Sequence, residues 1–147
     1  MKILIIEDEQ SSADRLKRMT EGEHELAGIA TSNAEVRAFF TEQSKGDVDL
    51  ILSDIQLGDG LSFESLRTVP SSLPIIFTTA YDEYAIQAFK FNSIDYLLKP
   101  IDAEELKAAL VKVEGQRSTS NGRLSSSTDA IAQLLASVKR QSIRYRE

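Results

Sequence analysis

The 147-residue sequence predicts an α/β domain, in which helices cover both faces of a doubly wound, five-stranded parallel sheet. Short apolar runs, typical of strands that are buried on both faces, recur along residues 1–115. Segments with apolar residues at helical spacing lie between these runs. Charged and hydroxyl residues follow several of the runs directly, where an open parallel sheet binds its ligands.

The predicted elements alternate along the chain. The strands are residues 3–6, 26–30, 50–52 (continuing to Ser53 and Asp54), 75–77 and 95–98. The helices are residues 12–20, a segment capped by Asn33, residues 62–68, residues 83–91, and a last helix with a capping-box-like start at Asp102 and Glu105. The inward-facing positions are Leu16 and Met19 in the first helix, Val36, Phe39 and Phe40 in the second, and Leu106, Leu110 and Val113 in the last.

The composition changes after residue 115. Residues 1–115 carry 11 Lys/Arg and 21 Asp/Glu, a net charge of −10, whereas residues 116–147 carry 6 and 2, a net charge of +4. Residues 116–128 are rich in Ser, Gly, Asn and Arg and predict a flexible linker. Residues 129–147 predict a basic amphipathic helix or a further linker. Its apolar stripe, which could pack on a partner helix, is Ile131, Leu134, Leu135 and Val138.

Charge and cysteine content narrow the classes of function. The acidic part of the chain repels a nucleic-acid backbone, so we do not expect it to contact DNA. The basic tail could contact an acidic partner or nucleic acid, although so modest a spread of basic residues is more often the solvated face of a helix. Without cysteine there is no disulfide and no thiolate metal site. Because the apolar run of residues 3–6 is too short for a signal peptide or membrane span, we expect a soluble, cytoplasmic protein.

Polar residues that follow different strands are expected to meet at one edge of the sheet. Glu7 and Asp8 follow the first strand, Asp54 ends the third, and Lys99 follows the fifth. Three carboxylates in one pocket repel each other, and a divalent cation would relieve that repulsion. Oxygen donors without nearby His or Cys favour Mg²⁺ or Mn²⁺ over zinc.

The same residues suit phosphoryl transfer. The carboxylate of Asp54 could attack phosphorus and form an acyl phosphate, while the ammonium of Lys99 covers a phosphoryl oxygen. The hydroxyl of Thr79 is placed to donate a hydrogen bond to the new group. Tyr96 is the expected side chain to fill the space that an inward movement of Thr79 leaves.

Four motifs in chain order resemble the receiver domains of two-component response regulators. They are Ile5-Ile6-Glu7-Asp8, Leu52-Ser53-Asp54, Phe77-Thr78-Thr79-Ala80 and Tyr96-Leu97-Leu98-Lys99-Pro100. The resemblance covers residues 1–115 and implies a flavodoxin-like sheet of strand order 2-1-3-4-5, followed by a C-terminal linker or helix.

The resemblance also implies roles for individual residues. Asp54 would be the phospho-acceptor, Asp8 a direct metal ligand, Glu7 a ligand acting mostly through water, and the backbone carbonyl of Gln56 a further ligand. Thr79 and Tyr96 would form the switch pair and Lys99 would bind the phosphoryl group, with a cis Lys99–Pro100 bond. Gly58 stands where many receivers carry proline, which predicts a looser loop after Asp54. The acidic pair is Glu-Asp where Asp-Asp is common, a change that the family tolerates.

Partners are implied in the same way. A sensor histidine kinase would supply the phosphoryl group, and the phosphorylated domain would form a homodimer through its fourth helix, fifth strand and fifth helix. Beyond its own phosphorylation and dephosphorylation, the domain would catalyse no reaction. Residues 77–85 and 95–100 are similar to a LytTR-type subclass whose members continue into a DNA-binding domain. Arg144-Tyr145-Arg146-Glu147 resembles the start of such a domain, so we expect a longer transcription regulator.

Three other functions are open to comparison. A Mg²⁺-dependent phosphohydrolase with an aspartyl nucleophile usually has a second acid two residues later, where this chain has Gln56. A flavodoxin-like electron carrier would have a Ser/Thr/Gly-rich loop after the first strand, where this chain has residues 7–9, Glu-Asp-Glu. A phosphorylation-independent interaction domain would not need the complete acidic set. In a purely structural interpretation, Asp54 caps a helix, Thr78 ends a strand and Tyr96 is a core aromatic.

Overall fold

Five parallel strands form the central sheet of the computed structural model, which describes residues 1–43, 48–118, 135–136, 138–139 and 141. The strands are β1 Lys2–Ile6, β2 Glu25–Ala30, β3 Leu50–Asp54, β4 Ile75–Thr79 and β5 Ser93–Leu98. Their order across the sheet is β2-β1-β3-β4-β5. The predicted fold class and the strand order 2-1-3-4-5 are confirmed.

Helices connect the strands and cover both faces of the sheet. They are α1 Gln10–Thr20, α2 Asn33–Gln43, α3 Phe63–Leu66, α4 Ala85–Ala88 and α5 Ala103–Ser118. The core on one face includes residues of α1 and α5, and the core on the other face includes residues of α2, α3 and α4. A short antiparallel hairpin, Gln56–Leu57 with Gly60–Leu61, follows β3. The right-handed crossover rule for parallel strands explains why helices lie on both sides.

The two cores are built from alternate residues of the same strands. Ile3 and Ile5 of β1 belong to the core beneath α1 and α5, whereas Leu4 and Ile6 belong to the opposite core. Every residue of β3 is buried. Burying one leucine or isoleucine side chain contributes about 1.5–3 kcal/mol relative to leaving it in water. A strand made largely of these residues, such as β3, is therefore most stable at the centre of a sheet.

The third and fourth helices are shorter than the sequence predicts. We expected residues 62–68 and 83–91, but the α-helical parts are Phe63–Leu66 and Ala85–Ala88. Beyond them the chain forms tighter turns, in which Thr68 N donates to Ser65 O and Phe91 N donates to Ala88 O. Bonds between residues three apart replace the α-helical pattern there. The apolar spacing is similar in both conformations, which explains the error.

The prediction that Asn33 caps α2 is wrong by one residue. Ser32 is the cap, because its hydroxyl accepts a hydrogen bond from Glu35 N at 3.1 Å and its carbonyl accepts one from Val36 N. The Asn33 side chain is buried, and its Oδ1 accepts from Ser65 Oγ at 2.6 Å while its Nδ2 donates to the Leu61 carbonyl at 3.2 Å. Asn33 therefore ties α2 to α3 and to the hairpin.

The last helix begins as predicted and continues further. The Asp102 carboxylate accepts hydrogen bonds from Glu104 N at 2.7 Å and from Glu105 N at 3.3 Å. Leu106, Leu110 and Val113 are buried, as expected from their spacing. The helix ends at Ser118, so three residues that we assigned to the linker extend α5.

Most of the predicted tail lies outside the described residues. This applies to the rest of the linker, to Ile131 and Leu134, and to residues 144–147, the segment that resembles the start of a DNA-binding domain. Of the described stripe residues, Leu135 is 39% exposed, whereas Val138 is 5% exposed and joins the core of the domain itself. Within the part of the chain that is described, no helix is long and apolar enough to cross a membrane.

Candidate functional site

The carboxyl ends of β1, β3 and β5 bring four charged side chains together. Asp54 is the last residue of β3, Glu7 and Asp8 follow β1, and Lys99 follows β5. One carboxylate oxygen from each of the three acids lies within 4.8 Å of the other two. β1 and β3 are adjacent parallel strands and β5 lies one strand further on, beyond β4, so their carboxyl ends share one edge of the sheet although the residues are far apart in sequence.

Lys99 joins two of these acids. Its Nζ lies 2.8 Å from Glu7 Oε1 and 3.1 Å from Asp54 Oδ2. Its backbone N donates to the Thr79 carbonyl at 2.7 Å, which fixes the start of the side chain beside β4. The bond between Lys99 and Pro100 is cis, as the resemblance implies. The second oxygen of Asp54, Oδ1, accepts a hydrogen bond from Ile55 N at 2.7 Å.

Burial and charge act in opposite directions on Glu7 and Lys99. The pKa of Glu7 is raised to about 7, mainly by burial; the hydrogen bond from Lys99 opposes this rise, and the Asp54 charge adds to it. Burial of the Lys99 ammonium lowers its pKa, but the hydrogen bond to Glu7 and the charges of Asp54 and Glu7 outweigh that effect and leave the pKa raised. With all three acids ionised, one ammonium faces three carboxylates, and the site retains negative charge.

The donor set fits a hard divalent cation. All three acids offer oxygen, the donor that Mg²⁺ and Mn²⁺ prefer, and they converge from two strands. Asp8 is exposed, so the site opens to solvent on that side, and Mg²⁺ usually keeps several waters. A Cβ built on Gly58 would lie 3.9 Å from Asp8 Oδ2, so the loop after β3 passes beside the acids. That the Gln56 carbonyl is a ligand stays a prediction.

Thr79 and Tyr96 both contact the backbone of Tyr81. The Thr79 hydroxyl accepts a hydrogen bond from Tyr81 N at 3.3 Å, and the Tyr96 hydroxyl donates to the Tyr81 carbonyl at 2.6 Å. Tyr96 is fully buried, and this burial raises the pKa of its hydroxyl. The segment after β4 therefore connects the two predicted switch residues. Thr78 is also buried, and among the described residues its hydroxyl has no hydrogen-bond partner.

Sequence reasoning missed two residues near the site. Tyr81 supplies the backbone groups just described, and Tyr84 has its hydroxyl 3.0 Å from Gln56 Nε2. The aromatic rings of Tyr81 and Tyr84 meet edge to face, with centroids 6.4 Å apart. The signal was present, since two tyrosines three residues apart follow β4 directly, but spacing alone did not indicate which groups they contact.

Comparison with known proteins identifies the family. Residues 3–111 match the family described as the response regulator receiver domain. This chain belongs to that family. The receiver is 36% identical over 120 residues to the sensory transduction protein LytT of Bacillus anthracis, and the match covers 80% of this chain and 48% of that protein. It is 33% identical over 122 residues to the sensory transduction protein LytR of Streptococcus agalactiae, covering 78% and 48%.

Both relatives confirm the predicted similarity to the LytTR-type subclass. The receiver spans about half the length of these relatives. Among solved structures, a response regulator receiver domain protein from Clostridium thermocellum matches with a TM-score of 0.70 at 26% identity. That match covers 80% of this receiver and 96% of the other chain. The response regulator PhyR from Brucella abortus also matches with a TM-score of 0.70, at 27% identity, covering 81% and 49%.

Proposed function

We propose that this receiver is a switch operated by Mg²⁺-dependent phosphorylation of Asp54. The observation that carries the proposal is the convergence of Asp54, Glu7, Asp8 and Lys99 at one end of the sheet. A carboxylate flanked by two further acids and a lysine has the groups that phosphoryl transfer to an aspartate requires, which are a nucleophile, ligands for a cation and a positive charge.

Glu7, Asp8, Asp54 and the backbone carbonyl of Gln56 would hold Mg²⁺ or Mn²⁺. The bound cation supplies charge neutralisation for the phosphoryl oxygens. The chain's own residues position the nucleophile, because Ile55 N fixes one Asp54 oxygen at 2.7 Å and Lys99 contacts the other at 3.1 Å. The ammonium of Lys99 lies where it can pass from Asp54 to an incoming phosphoryl oxygen.

The phosphoryl donor in this proposal is a phosphohistidine of a sensor histidine kinase. An electron pair of the Asp54 carboxylate forms the new O–P bond while the N–P bond of the phosphohistidine breaks. The imidazole nitrogen keeps the electron pair of that bond and takes a proton from water. The product is an aspartyl phosphate that carries roughly −1.5 to −2 charge and three strong acceptors. Water later attacks the phosphorus and restores the Asp54 carboxylate, and the domain transforms no external substrate.

The output follows from the contacts of Thr79 and Tyr96. The Thr79 hydroxyl would donate to the phosphoryl group and give up its contact with Tyr81 N, and Tyr96 would hold the segment after β4 in its new position. This local change would favour a homodimer through α4, β5 and α5. The chain spans about half the length of its LytT and LytR relatives. From the resemblance to the LytTR-type subclass, we propose a transcriptional output through a DNA-binding domain outside these 147 residues.

Acetyl phosphate labelling tests the proposal. With Mg²⁺, the receiver should acquire one phosphoryl group that is stable in acid and labile in base, and Asp54→Asn should abolish the labelling. Asp49→Asn is the matched control, because Asp49 precedes β3 at the opposite end of the same strand and its carboxylate accepts from Lys2 N at 2.8 Å. Unchanged labelling in Asp54→Asn, or labelling that persists in excess EDTA, would contradict the proposal.

A further inference from the structure

The outer edge of β5 is a strand edge with polar groups to satisfy. β5 is the last strand of the sheet, and no further strand pairs with it among the described residues. Along such an edge, the N–H and C=O groups of alternate residues point away from the sheet. An uncovered edge is a template for pairing with another chain, so proteins cover or block it.

The side chain of Gln141 covers this edge. Its Oε1 accepts a hydrogen bond from Leu98 N at 2.6 Å, and its Nε2 donates to the Tyr96 carbonyl at 2.7 Å. A primary amide offers one acceptor and a donor side by side, as a peptide group of a neighbouring strand would. Gln141 is 1% exposed, so both bonds are shielded from water.

Asp95 blocks the adjoining position of the same edge. Its Oδ1 accepts a hydrogen bond from Tyr96 N at 2.9 Å, and its Oδ2 lies 3.0 Å from Nζ of Lys112 on α5. Together with Gln141, it satisfies both backbone groups of Tyr96 and the N–H of Leu98. Side chains therefore occupy the stretch of the edge nearest the phosphorylation site.

The residues that carry Gln141 are anchored by an apolar contact as well. The C-terminal segment, by which we mean the described positions 135–136, 138–139 and 141, is helical at each of these positions. Val138 and Gln141 are three residues apart and share one helix face. Val138 is 5% exposed and belongs to the core cluster that contains Tyr96 and Leu98, whereas Lys139 is exposed.

We propose that the outer edge of β5 is the docking surface for the chain's own C-terminal segment, with Gln141 as the latch, and that phosphorylation of Asp54 loosens it. The docking rests on the hydrogen bonds of Gln141 and on the burial of Val138. The loosening by phosphorylation rests on the proposed function of Asp54. While the latch is closed, a second copy of the chain cannot pair with this edge.

The strand itself supplies the link between the two sites. Leu98, which donates to Gln141, directly precedes Lys99, which is held by Glu7 and Asp54. A phosphoryl group on Asp54 adds three strong acceptors that compete for the lysine. Because the Gln141 amide must meet Leu98 N and Tyr96 O at once, it fits one position of the strand, and a shift of Lys99 weakens it.

Amide hydrogen exchange of Leu98 in the full chain tests the docking of the C-terminal segment on β5. In the unphosphorylated protein, Gln141→Ala should speed exchange of the Leu98 amide about tenfold, since one buried hydrogen bond is lost. Gln141→Glu should also speed it, because a carboxylate cannot donate to the Tyr96 carbonyl. Lys139→Ala, on the exposed face of the segment, is the matched control and should leave the rate unchanged. The Ile51 amide, bonded to the Pro74 carbonyl, is the internal reference for an intact sheet.

Two results would overturn the proposed docking of the C-terminal segment. Equal Leu98 protection in Gln141→Ala and Lys139→Ala would show that the amide does not hold the edge. Protection that rises with protein concentration would assign the edge to a second copy of the chain.

The loosening by phosphorylation is tested by the same measurement after treatment of the chain with acetyl phosphate and Mg²⁺. Leu98 exchange should accelerate in the wild-type chain and should change little in Gln141→Ala, in which the latch is already open. Retained protection in a fully phosphorylated wild-type chain would refute the coupling. If the chain cannot be labelled at all, the proposed function is refuted and the coupling with it. The docking is tested separately, by Leu98 exchange in the unphosphorylated chain.

Discussion

Glu7 shows how a buried acid at the proposed metal site can destabilise the fold that contains it. The residue is 1% exposed, and burial raises its pKa to about 7 despite the contact with Lys99. An ionised carboxylate with so little water around it is costly unless a cation approaches. The acid is therefore suited to exchange a proton for a metal ion near neutral pH.

This leads to a pH prediction for the metal-free receiver. The unfolded chain releases the Glu7 proton near pH 4.5 and the folded chain near pH 7, so the unfolding free energy should fall as the pH rises between these values. Glu7→Gln, which cannot ionise, should remove this decrease and gain about 3 kcal/mol over wild type between the two limits. Urea unfolding in EDTA across this range measures it, with the exposed Glu23→Gln as control. If the difference in unfolding free energy between wild type and Glu7→Gln stays constant with pH, the raised pKa of Glu7 is refuted.

Replacing Lys99 is expected to change metal binding and phosphorylation-driven dimerisation in opposite directions. Lys99→Ala removes a positive charge next to Glu7 and Asp54, so Mg²⁺ should bind several-fold more tightly, since the ammonium repels the ion. The phosphorylation-driven dimer should be lost, because the phosphoryl group then has no charged contact with the residue that directly follows β5. Calorimetric Mg²⁺ titration and sedimentation test both effects. Lys17→Ala, which removes an exposed lysine of α1 outside the site and outside the proposed dimer surface, is the control. A normal phosphorylation-driven dimer in Lys99→Ala would argue against the role given to Lys99.

At the scale of elements, the strands were predictable and the helix ends were not. Strands such as β3 are continuous apolar runs whose burial on both faces leaves few other conformations. The ends of α3 and α4 depend on whether the chain continues with α-helical bonds or tighter turns, and apolar spacing does not distinguish these. The cap of α2 depended on a long-range contact, because Asn33 could have capped the helix had Ser65 not engaged its side chain.

Asn33 should accordingly matter for stability more than an exposed asparagine does. Asn33→Ala removes the buried bond from the Ser65 hydroxyl, which keeps only a longer bond to the Ser62 carbonyl at 3.3 Å, and the part-buried bond to the Leu61 carbonyl. The loss should lower the unfolding free energy by about 2 kcal/mol. Asn92→Ala, which removes one exposed bond to the Ser72 carbonyl, should cost about 0.5 kcal/mol or less. Chemical denaturation of both variants checks the difference. Equal losses would mean that the Asn33 bridge does not hold α2 against α3.

For the whole molecule, the charged site was predictable because topology decides it. The carboxyl ends of parallel strands lie at one edge of the sheet, so Glu7, Asp8, Asp54 and Lys99 could be placed together from sequence. The docking of Gln141 on β5 could not, because the order of the strands does not fix where residues beyond α5 lie; this contact joins residues 43 and 45 positions apart. One sequence signal was available. Gln141 lies three residues after Val138, where the apolar stripe would continue, and a polar residue there indicates a specific partner.

The most direct test of the account is to locate the phosphoryl group chemically. Borohydride converts an aspartyl phosphate into homoserine, which peptide mass spectrometry identifies at a single position. After treatment with acetyl phosphate and Mg²⁺, we predict homoserine at position 54 and at no other aspartate, including Asp8. Homoserine at another position, or its absence from a protein that carries the phosphoryl group, would contradict the assignment of Asp54 as the phospho-acceptor.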